Sequence, residues 1–327
     1  MQHGKKTQHK VRNTILIVIL LLLVGTGAFG MVRYQSIKSS VAKTFKSAGI
    51  TKERDVNGQL NGKKPISILL LGTDTGEFGR SYKGRTDSMM IITVNPSTNK
   101  TTMTSIPRDT AVSIPGFTDV APSKINAAYD WGQAATTITT VQNMLNVPID
   151  FYALINMGGM EKVINKIGGV NVTPTLSFTY EGYTFKKGVK LHMNGSRALA
   201  YSRMRYQDPL GDYGRQTRQR EVLMALVKQS GSISTLLNQS FISSLSSQVQ
   251  TDLTFSDLTS LVKNYRKATG AIQQTHLQGT GKMIGGQSME VMNKTELQRV
   301  TDFVRDGLAL PHKETGKIAL PSAFGED

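Results

Sequence analysis

The sequence predicts an α/β protein, in which a three-layer α-β-α sandwich with a mixed central sheet follows one N-terminal transmembrane helix. Three observations predict this fold class. A long uncharged segment lies near the N-terminus, short apolar runs bounded by turn residues follow it, and segments of helical spacing alternate with those runs. Strands mixed with helices are typical of a sheet that is covered on both faces. With 327 residues, the chain has room for one large domain or two small ones.

The uncharged segment is Asn13–Val32, and twenty residues at about 1.5 Å each span the ~30 Å core of a bilayer. We therefore predict a cytoplasmic tail at 1–12 and a signal-anchor at 13–33, with the rest of the chain outside a single-pass cell membrane. Ala28-Phe29-Gly30 has the small residues of a signal-peptidase site, so a cleaved signal peptide stays open. A buried core helix is a third interpretation. The first two interpretations both export the remainder of the chain.

The basic excess of the chain is concentrated around that segment. Lys and Arg number 39 against 23 Asp and Glu, and half of the net charge of +16 falls within residues 1–55. A nucleic-acid binder would not need its charge there, so we expect no nucleic-acid partner. The absence of cysteine excludes disulfides, thiolate catalysis and cysteine-based metal sites. The five histidines argue against a histidine-rich metal site, and none of them lies in a recognisable nucleophile motif.

The first elements after the apolar segment are a linker and three strands. Residues 34–63 are polar and rich in Lys, Gly and Asn, which indicates a stalk or linker. Ile66–Leu71 is a short buried strand that ends at a glycine. Ser88–Val94 and Lys100–Ile106 are strand-like, and the turn-rich residues between them are typical of a hairpin. The hairpin belongs to a predicted core domain at 64–235.

Helices and further strands alternate through the rest of that core. The periodicity predicts helices at Lys124–Leu145, Gly158–Ile167, Ser196–Ser202 and Arg215–Val227, and strands at Phe151–Ile155, Val170–Val172 and Tyr183–Val189. Residues 236–327 are rich in Ser, Thr and Gln, yet Leu253–Lys267 and Met292–Leu308 keep helical spacing. We therefore expect this C-terminal segment to pack on the core, with a frayed end after Pro311.

Two carboxylates flank the first two predicted strands of the core. Asp74 directly follows the buried strand, and Asp87 directly precedes the next one, close to Arg85. If the two strands are neighbours, both carboxylates meet at one edge of the sheet, where α/β proteins bind ligands. Two oxygen ligands that face an open position suit Mg²⁺ or Mn²⁺. The alternative is that Asp74 caps a turn and Asp87 pairs with Arg85.

The segments after these carboxylates contain more arginines than ordinary surface charge explains. Arg108 lies just beyond a strand end, and Arg203 and Arg205 are spaced to point the same way in an extended segment. The string DYGRQTRQR then opens a helix on which Arg215 and Gln219 share a face, whereas Arg218 and Arg220 lie off that face. Arginine makes planar two-point contacts to phosphate, and a helix N-terminus favours an anion. The cluster predicts a site for a multiply charged anion.

The chain resembles the LytR-CpsA-Psr family of Gram-positive envelope enzymes over about half of its length. The matching strings, in the order of the family, are ILLLGTD, GRTDSMMIITVNP, SIPRDT, KINAAY, FYALINMGG, IGGVNV, HMNGSRALAYSRMRY and DYGRQTRQR. The combination is specific even though each string alone is weak. A single N-terminal span with an exported domain is also the layout of the family.

The resemblance implies a phosphotransferase-type transferase. Such an enzyme moves an anionic glycopolymer (wall teichoic acid, capsule or similar) with one phosphate from a polyprenyl-pyrophosphate carrier to peptidoglycan, forming a phosphodiester. The implied catalytic residues are Arg108, Asp87 and Asp74, and the two aspartates are also the implied ligands of Mg²⁺ or Mn²⁺. The implied pyrophosphate-binding residues are Arg85, Arg108, Lys124, Arg203, Arg205, Arg215 and Gln219.

The resemblance further implies an apolar tunnel for the lipid tail between the sheet and the helices. Candidate lining residues are Met89, Ile91, Phe151, Leu154, Leu223 and Leu226, with ordinary core packing as the alternative for each. Asp87, Asp74 or a metal-bound hydroxide can take the proton of the sugar hydroxyl, and the sequence does not choose among them.

Two other functions remain compatible with the same residues. A non-catalytic polyprenyl-phosphate-binding regulator of the envelope would need the arginines but not the paired carboxylates. A lipid-pyrophosphate hydrolase would release the polymer to water and differs only in its acceptor. Direct regulation of DNA fits badly, because the arginines would lie across the membrane from DNA and no helix-turn-helix pattern is present.

Overall fold

The computed structural model describes residues 35–36, 38–73, 84–229, 249–265, 267–268 and 271–317. The predicted cytoplasmic tail and signal-anchor lie outside these residues. Within the described part of the chain, no helix combines the length and the apolar character that crossing a bilayer requires.

The described elements alternate between strand and helix along the chain. In chain order, the strands are β1 (Ile66–Thr73), β2 (Thr86–Asn95), β3 (Lys100–Ile106), β4 (Ala111–Val112), β5 (Ser123–Lys124), β6 (Phe151–Asn156), β7 (Val170–Val172), β8 (Phe178–Tyr180), β9 (Tyr183–Phe185), β10 (Leu191–Met193), β11 (Val249–Thr251), β12 (Ala271–His276), β13 (Thr280–Ile284) and β14 (Gln287–Val291). The helices are α1 (Val56–Asn61), α2 (Ala127–Leu145), α3 (Met157–Lys166), α4 (Gly195–Arg203), α5 (Gly211–Gln229), α6 (Phe255–Asn264) and α7 (Lys294–Gly307).

The central sheet is mixed, as the sequence predicts. The described strands follow the order β11-β6-β1-β2-β3-β12. Strands β1 and β2 are antiparallel, with Ile66 opposite Val94 and Thr73 opposite Thr86, and β2 and β3 form the predicted hairpin. Strand β6 runs parallel to β1, and β12 runs parallel to β3. Strands β1 and β2 therefore lie at the middle of the sheet, where both faces are covered.

Helices cover both faces of this sheet. Leu69 and Ile91 point to one face, where they share a buried core with Ile138 of α2 and Val300 of α7. Side chains alternate along a strand, so the neighbouring Leu70 and its partner Met90 face the opposite side. Helices α3, α4 and α5 cover that second side. This arrangement agrees with the predicted mixed α/β architecture.

The C-terminal segment contains the two predicted helices, as α6 and α7, together with four strands that the sequence pattern does not reveal. Strand β11 extends the sheet beside β6, and β12 extends it beside β3. Strands β13 and β14 form a separate hairpin. The side chains of β12 are exposed or half-buried, so this edge strand lacks the apolar alternation on which a strand prediction depends.

The predicted strand Tyr183–Val189 is wrong in its second half. Strand β9 ends at Phe185, and residues 186–190 form a turn in which Gly188 has φ of 76° and donates to the Pro174 carbonyl at 2.9 Å. The same region pairs β8 with β9 and β10 with β7. The left-handed Gly188 turns the chain where the predicted strand would continue.

The segment predicted as a linker lies against the domain over its described residues. Val41 is buried, and the Lys46 amide donates to the Thr251 carbonyl of β11 at 2.8 Å. Further along, Lys52 forms an ion pair with the buried Asp252, and Arg54 forms one with the buried Asp150. The buried carboxylates need these cations, since an unpaired charge in the interior costs several kcal/mol.

Candidate active site

The predicted meeting of strand ends occurs at one edge of the central sheet. The carboxyl ends of β1 and β3 and the amino end of β2 lie together there, because both neighbours of β2 are antiparallel to it. Thr73 pairs with Thr86, so Asp87 stands next to the end of β1. Asp74 follows Thr73 in the chain and lies outside the described residues, and its metal role therefore stays a prediction.

Two arginines converge on Asp87. Arg108, two residues after the end of β3, donates from Nη1 to Asp87 Oδ1. Arg215, in the second turn of α5, donates from Nη2 to the backbone oxygen of Asp87 at 3.1 Å. Only 22% of the Arg108 side chain and 10% of the Arg215 side chain is exposed. The start of β2 thus brings together guanidinium groups that lie more than a hundred residues apart in sequence.

Each of these guanidinium groups has one N–H that makes no hydrogen bond within the part of the chain that the structure describes. Arg108 Nε and Arg215 Nε are buried and have no hydrogen-bond partner among the described residues. Burial lowers the pKa of Arg215; Asp212 opposes this shift, and the neighbouring cations Arg108 and Arg205 add to it. For Arg108 burial acts in the same direction, but Asp87 and Asp109 outweigh it and raise the pKa. Unused buried donors beside crowded positive charge fit an anion that accepts several hydrogen bonds.

Three carboxylates and one lysine complete the charge balance of this cluster. Lys124 Nζ contacts Asp109 Oδ1 at 2.8 Å, and Asp109 Oδ2 lies 3.7 Å from Arg108 Nε. Asp212 Oδ1 contacts Arg215 Nη2 at 2.6 Å, one helical turn before it. Asp109 therefore joins Lys124 to Arg108. Asp109 directly follows Arg108 in the string SIPRDT, and it is not among the site residues predicted from the sequence.

The other predicted anion-binding residues take different positions. Gln219 is half-buried on α5, one turn after Arg215, as the helical spacing predicts. Arg203 is the last residue of α4 and Arg205 follows the helix cap, so the two arginines do not share one extended segment as predicted. Arg85 is exposed, just before β2. The structure brings Arg205 close enough to Arg215 to influence its pKa.

Arg218 and Arg220 lie off the Arg215–Gln219 face but are buried. Arg218 is 1% exposed, forms an ion pair with Asp208 and donates to the Tyr201 carbonyl at 3.1 Å. Arg220 donates to Ser105 Oγ at 2.8 Å. Helical spacing shows that these two side chains point away from the anion cluster, but it does not show that another layer of the protein covers them.

An apolar cavity opens beside the charged cluster, between the sheet and helices α3, α4 and α5. It holds about 540 Å³ of empty space, its open mouth included. Its apolar lining includes Leu70, Met90, Ile155, Met160, Leu199 and Leu223. Gly72, Ser88 and Gln219 line it near the strand ends. A Cβ on Gly72 would stand 2.2 Å from Ser88 Oγ, so a side chain at this position would require the Ser88 hydroxyl to move.

Most of the residues predicted to line the lipid tunnel do not line this cavity. Of the six candidates, Leu223 lines the cavity, whereas Met89, Ile91 and Leu154 belong to the core on the α2 side of the sheet. Phe151 packs with Leu60 at the other end of the sheet. Met89, Ile91 and Leu154 lie on the face opposite the cavity, because a shift of one residue moves a side chain from one face of the sheet to the other. Phe151 pairs with Ile68 and shares a face with the cavity-lining Ile155, but it is not among the residues that line the cavity.

A second, polar cavity lies on the other side of Arg215. Its walls are the loop after β3, the loop that leads into α5, and strand β14, and it holds about 700 Å³ of empty space. Its charged and polar lining comprises Asp109, Arg205, Asp212, Tyr213, Ser288 and Glu290. No sequence motif points to Tyr213 and Glu290 as members of this site. They lie 77 residues apart in the chain, and a hydrogen bond of 3.0 Å joins them only in the folded protein.

Comparisons with known proteins give one consistent result. The LytR_cpsA_psr family matches residues 31–306. The polyisoprenyl-teichoic acid–peptidoglycan teichoic acid transferase TagU of Enterococcus faecalis is 42% identical over 309 residues, which cover 94% of this chain and 99% of that relative.

Solved structures agree with the sequence comparison. Protein gbs0355 from Streptococcus agalactiae superposes with a TM-score of 0.73 at 34% identity, covering 83% of this chain and 96% of that one. TagT bound to LIIa-WTA superposes with a TM-score of 0.64 at 28% identity, covering 80% and 95%. With its arginines gathered on Asp87 beside an apolar cavity, and with this match along most of its length, the chain belongs to the LytR-CpsA-Psr family.

Proposed function

We propose that this protein transfers a teichoic acid or a similar anionic glycopolymer, together with one phosphate, from a polyprenyl-pyrophosphate carrier to peptidoglycan. The observation that carries the proposal is a pair of buried guanidinium N–H groups, Arg108 Nε and Arg215 Nε, that make no hydrogen bond within the described residues. They lie beside an apolar cavity whose lining includes Ser88, the neighbour of Asp87, and Gln219, one helical turn after Arg215. A lipid pyrophosphate needs both features in one place, an apolar chamber for the lipid and buried cations for the phosphates. The named activity of the TagU relative supports the same substrate pair.

The chemistry follows from the charges of such a substrate. The acceptor hydroxyl attacks the phosphorus that bears the glycopolymer, a new P–O bond to the acceptor forms, and the pyrophosphate P–O bond breaks. The products are a phosphodiester and polyprenyl phosphate, which carries away the negative charge, and the hydroxyl proton passes to a base. Arg108 and Arg215 lie where charge grows on the phosphates, so positioning and electrostatic stabilisation supply most of the catalysis.

A divalent cation is part of the proposal. Asp87 reaches the site with a side chain that is 22% exposed, and Asp74 is the residue that follows the last residue of β1 in the sequence. Carboxylates beside phosphate oxygens are the ligand set that Mg²⁺ or Mn²⁺ prefers. We propose that Asp74 and Asp87 hold this ion, which would neutralise phosphate charge when bound.

Membrane anchoring is proposed from the sequence. The uncharged segment 13–32 and its basic flanks support a single-pass signal-anchor with the catalytic domain outside the cell. A C-terminal reporter enzyme should be active only outside the membrane, and the mature protein should keep residues 1–30. An N-terminus at Met31 would show instead that a signal peptidase cuts after Gly30.

The activity is tested by incubating the detergent-extracted full chain with a labelled polyprenyl-pyrophosphate oligosaccharide and uncrosslinked peptidoglycan. Label should appear in peptidoglycan through a phosphodiester, with release of polyprenyl phosphate. Release of labelled sugar phosphate to water, equal with and without peptidoglycan, would identify a hydrolase. Tight binding of the lipid without turnover would identify a non-catalytic regulator.

A further inference from the structure

The polar cavity is separate from the apolar cavity that is proposed to hold the lipid, and Arg205, one of the proposed pyrophosphate-binding residues, lines it. Its walls come from three separate parts of the chain, the loop after β3, the loop before α5 and strand β14. It encloses about 700 Å³ of space, the open solvent at its mouth included. It also borders the arginine cluster directly, because Asp109 and Asp212 line the cavity and contact Arg108 and Arg215 respectively.

We propose that the polar cavity binds the acceptor, as the uncharged sugar of peptidoglycan whose hydroxyl attacks the phosphate. This assignment rests on the proposed function, since it places the second substrate of that reaction.

The first argument is the order of side chains along helix α5. Asp212, Arg215 and Gln219 are spaced three and four residues apart, so they lie one above another on a single face. Asp212 lines the polar cavity and Gln219 lines the apolar cavity, about 10 Å apart at 1.5 Å per residue. Arg215 therefore stands between the two cavities.

The geometry of phosphoryl transfer indicates which substrate occupies the cavity on each side of Arg215. The attacking and leaving oxygens lie roughly in line through the phosphorus. The leaving group is the lipid phosphate, whose tail occupies the apolar cavity, so the attacking hydroxyl approaches from the opposite side. The polar cavity is the space on that side.

The second argument is the charge of the lining. Asp109 is matched by Lys124 and Asp212 by Arg215, whereas Glu290 has no ion-pair partner in the part of the chain that the structure describes. The Glu290 carboxylate accepts hydrogen bonds from sugar hydroxyls, and the guanidinium of Arg205, which lines the same cavity, donates them. This combination of donor and acceptor suits an uncharged, hydroxyl-rich ring.

The backbone holds Glu290 at a defined position relative to Arg108. The Glu290 amide donates to the Asp109 carbonyl at 2.9 Å, and the Tyr213 hydroxyl donates to Glu290 Oε2 at 3.0 Å. The Gly279 amide in turn donates to the Tyr213 hydroxyl at 2.9 Å. The β13–β14 hairpin therefore packs against the loop after β3, which carries Arg108 and Asp109. A bound sugar requires a fixed wall of this kind.

The test uses two variants of β14 and one matched control in the full chain. Ser288→Trp fills the cavity from an exposed strand position, and Glu290→Gln keeps the shape but removes the charge. Gln287→Trp is the control, because Gln287 is the adjacent, exposed residue and its side chain points to the other face of the strand. Transfer kinetics are measured against uncrosslinked glycan strands at saturating donor, and donor affinity is measured separately with polyprenyl pyrophosphate.

Ser288→Trp should raise the KM for the glycan strands by about tenfold or more, and Glu290→Gln by about tenfold, the usual effect of losing one charge-assisted hydrogen bond. Donor affinity should stay within about twofold, and Gln287→Trp should resemble the wild type. An unchanged acceptor KM in Ser288→Trp would overturn the assignment. Loss of affinity for a donor that carries its first sugar, with acceptor KM unchanged, would overturn it in favour of a donor-sugar site.

A binding measurement separates this inference from the proposed function. Saturation-transfer NMR with a soluble tetrasaccharide of peptidoglycan needs no turnover. Sugar binding that Ser288→Trp abolishes and Gln287→Trp keeps would support the cavity assignment even if the wild type transferred nothing. Sugar binding that survives in Ser288→Trp would overturn it even if transfer were normal.

Discussion

Arg218 and Asp208 form a buried ion pair that ties the loop after helix α4 to helix α5. Their side chains are 2% and 7% exposed. Arg218 also donates to the carbonyls of Tyr201 and Met204, so one guanidinium holds the end of α4 and the loop that carries Arg205. A Cβ on Gly214 would stand 1.9 Å from Asp208 Oδ2, which explains why a glycine occupies this helical position.

The first prediction is that Arg218→Ala destabilises the fold. Removing one partner of a buried pair leaves Asp208 charged and unmatched, at a cost of about 3–5 kcal/mol in the free energy of unfolding. Denaturant unfolding of the full chain measures this loss. Lys187→Ala, on an exposed turn, should stay within about 0.5 kcal/mol of the wild type. Equal stability of the two variants would show that the buried pair contributes nothing.

The second prediction separates the roles of Arg108 and Arg215. If Arg108 acts on charge that grows in the transition state, Arg108→Ala should lower kcat more than donor affinity, by about 10–100-fold for one charge-assisted contact. Arg215→Ala should also weaken donor affinity, because Arg215 lies between the cavities and holds charge in the ground state. Steady-state transfer and a direct lipid-pyrophosphate binding assay measure the two quantities. Normal turnover in Arg108→Ala would contradict this assignment.

The third prediction concerns lysine at the same positions. Arg108→Lys and Arg215→Lys should recover activity only partly, because an ammonium keeps the charge but not the planar two-point contact. Transfer rates of the lysine and alanine variants, compared at one donor concentration, measure the recovery. Full activity in Arg215→Lys would mean that charge alone suffices there.

The fourth prediction tests the apolar cavity as the lipid chamber. Leu223→Gln places an unpartnered amide in the cavity and should lower affinity for polyprenyl phosphate about tenfold or more, since burying such a group without a hydrogen bond costs about 1–3 kcal/mol. Met224→Gln is the matched control, as the next residue of α5 is half-buried outside the cavity lining. Native mass spectrometry of the detergent-solubilised protein reports lipid retention. Equal retention by both variants would argue against a lipid in this cavity.

The fifth prediction concerns the proposed metal. Asp74→Ala and Asp87→Ala should each abolish transfer with the fold retained, and EDTA should do the same to the wild type until Mg²⁺ or Mn²⁺ is restored. Circular dichroism checks the fold of both variants, and a transfer assay reports the activity. Full activity in EDTA would eliminate the metal from the mechanism.

How much of this protein the sequence predicts varies by region. Apolar alternation and turn residues locate β1, β2, β3 and α2 to within a few residues, because these elements bury a regular face. The strands of the C-terminal segment escape prediction, since β11 and β12 pair with strands more than ninety residues earlier and carry little apolar pattern of their own. Edge strands are stabilised by the neighbour they join, and that neighbour is not visible locally.

The candidate site shows the same division. The strand-end positions of Asp87 and Arg108 follow from local pattern alone, and so does the shared helix face of Arg215 and Gln219. Local pattern does not show which face of the sheet lines the apolar cavity. Alternation defines two faces but does not show which helices cover each of them.

The sequence by itself determined the mixed α/β core, the residue types of an anion site and their places at strand and helix ends, because these depend on short-range periodicity and side-chain chemistry. Only the tertiary structure decided that Arg218 is a buried structural cation, that Leu70 and Met90 face the apolar cavity, and that Glu290 joins Tyr213 beside Arg215. Burial and cavity walls are properties of segments packed together from distant parts of the chain, so no local window of sequence contains them.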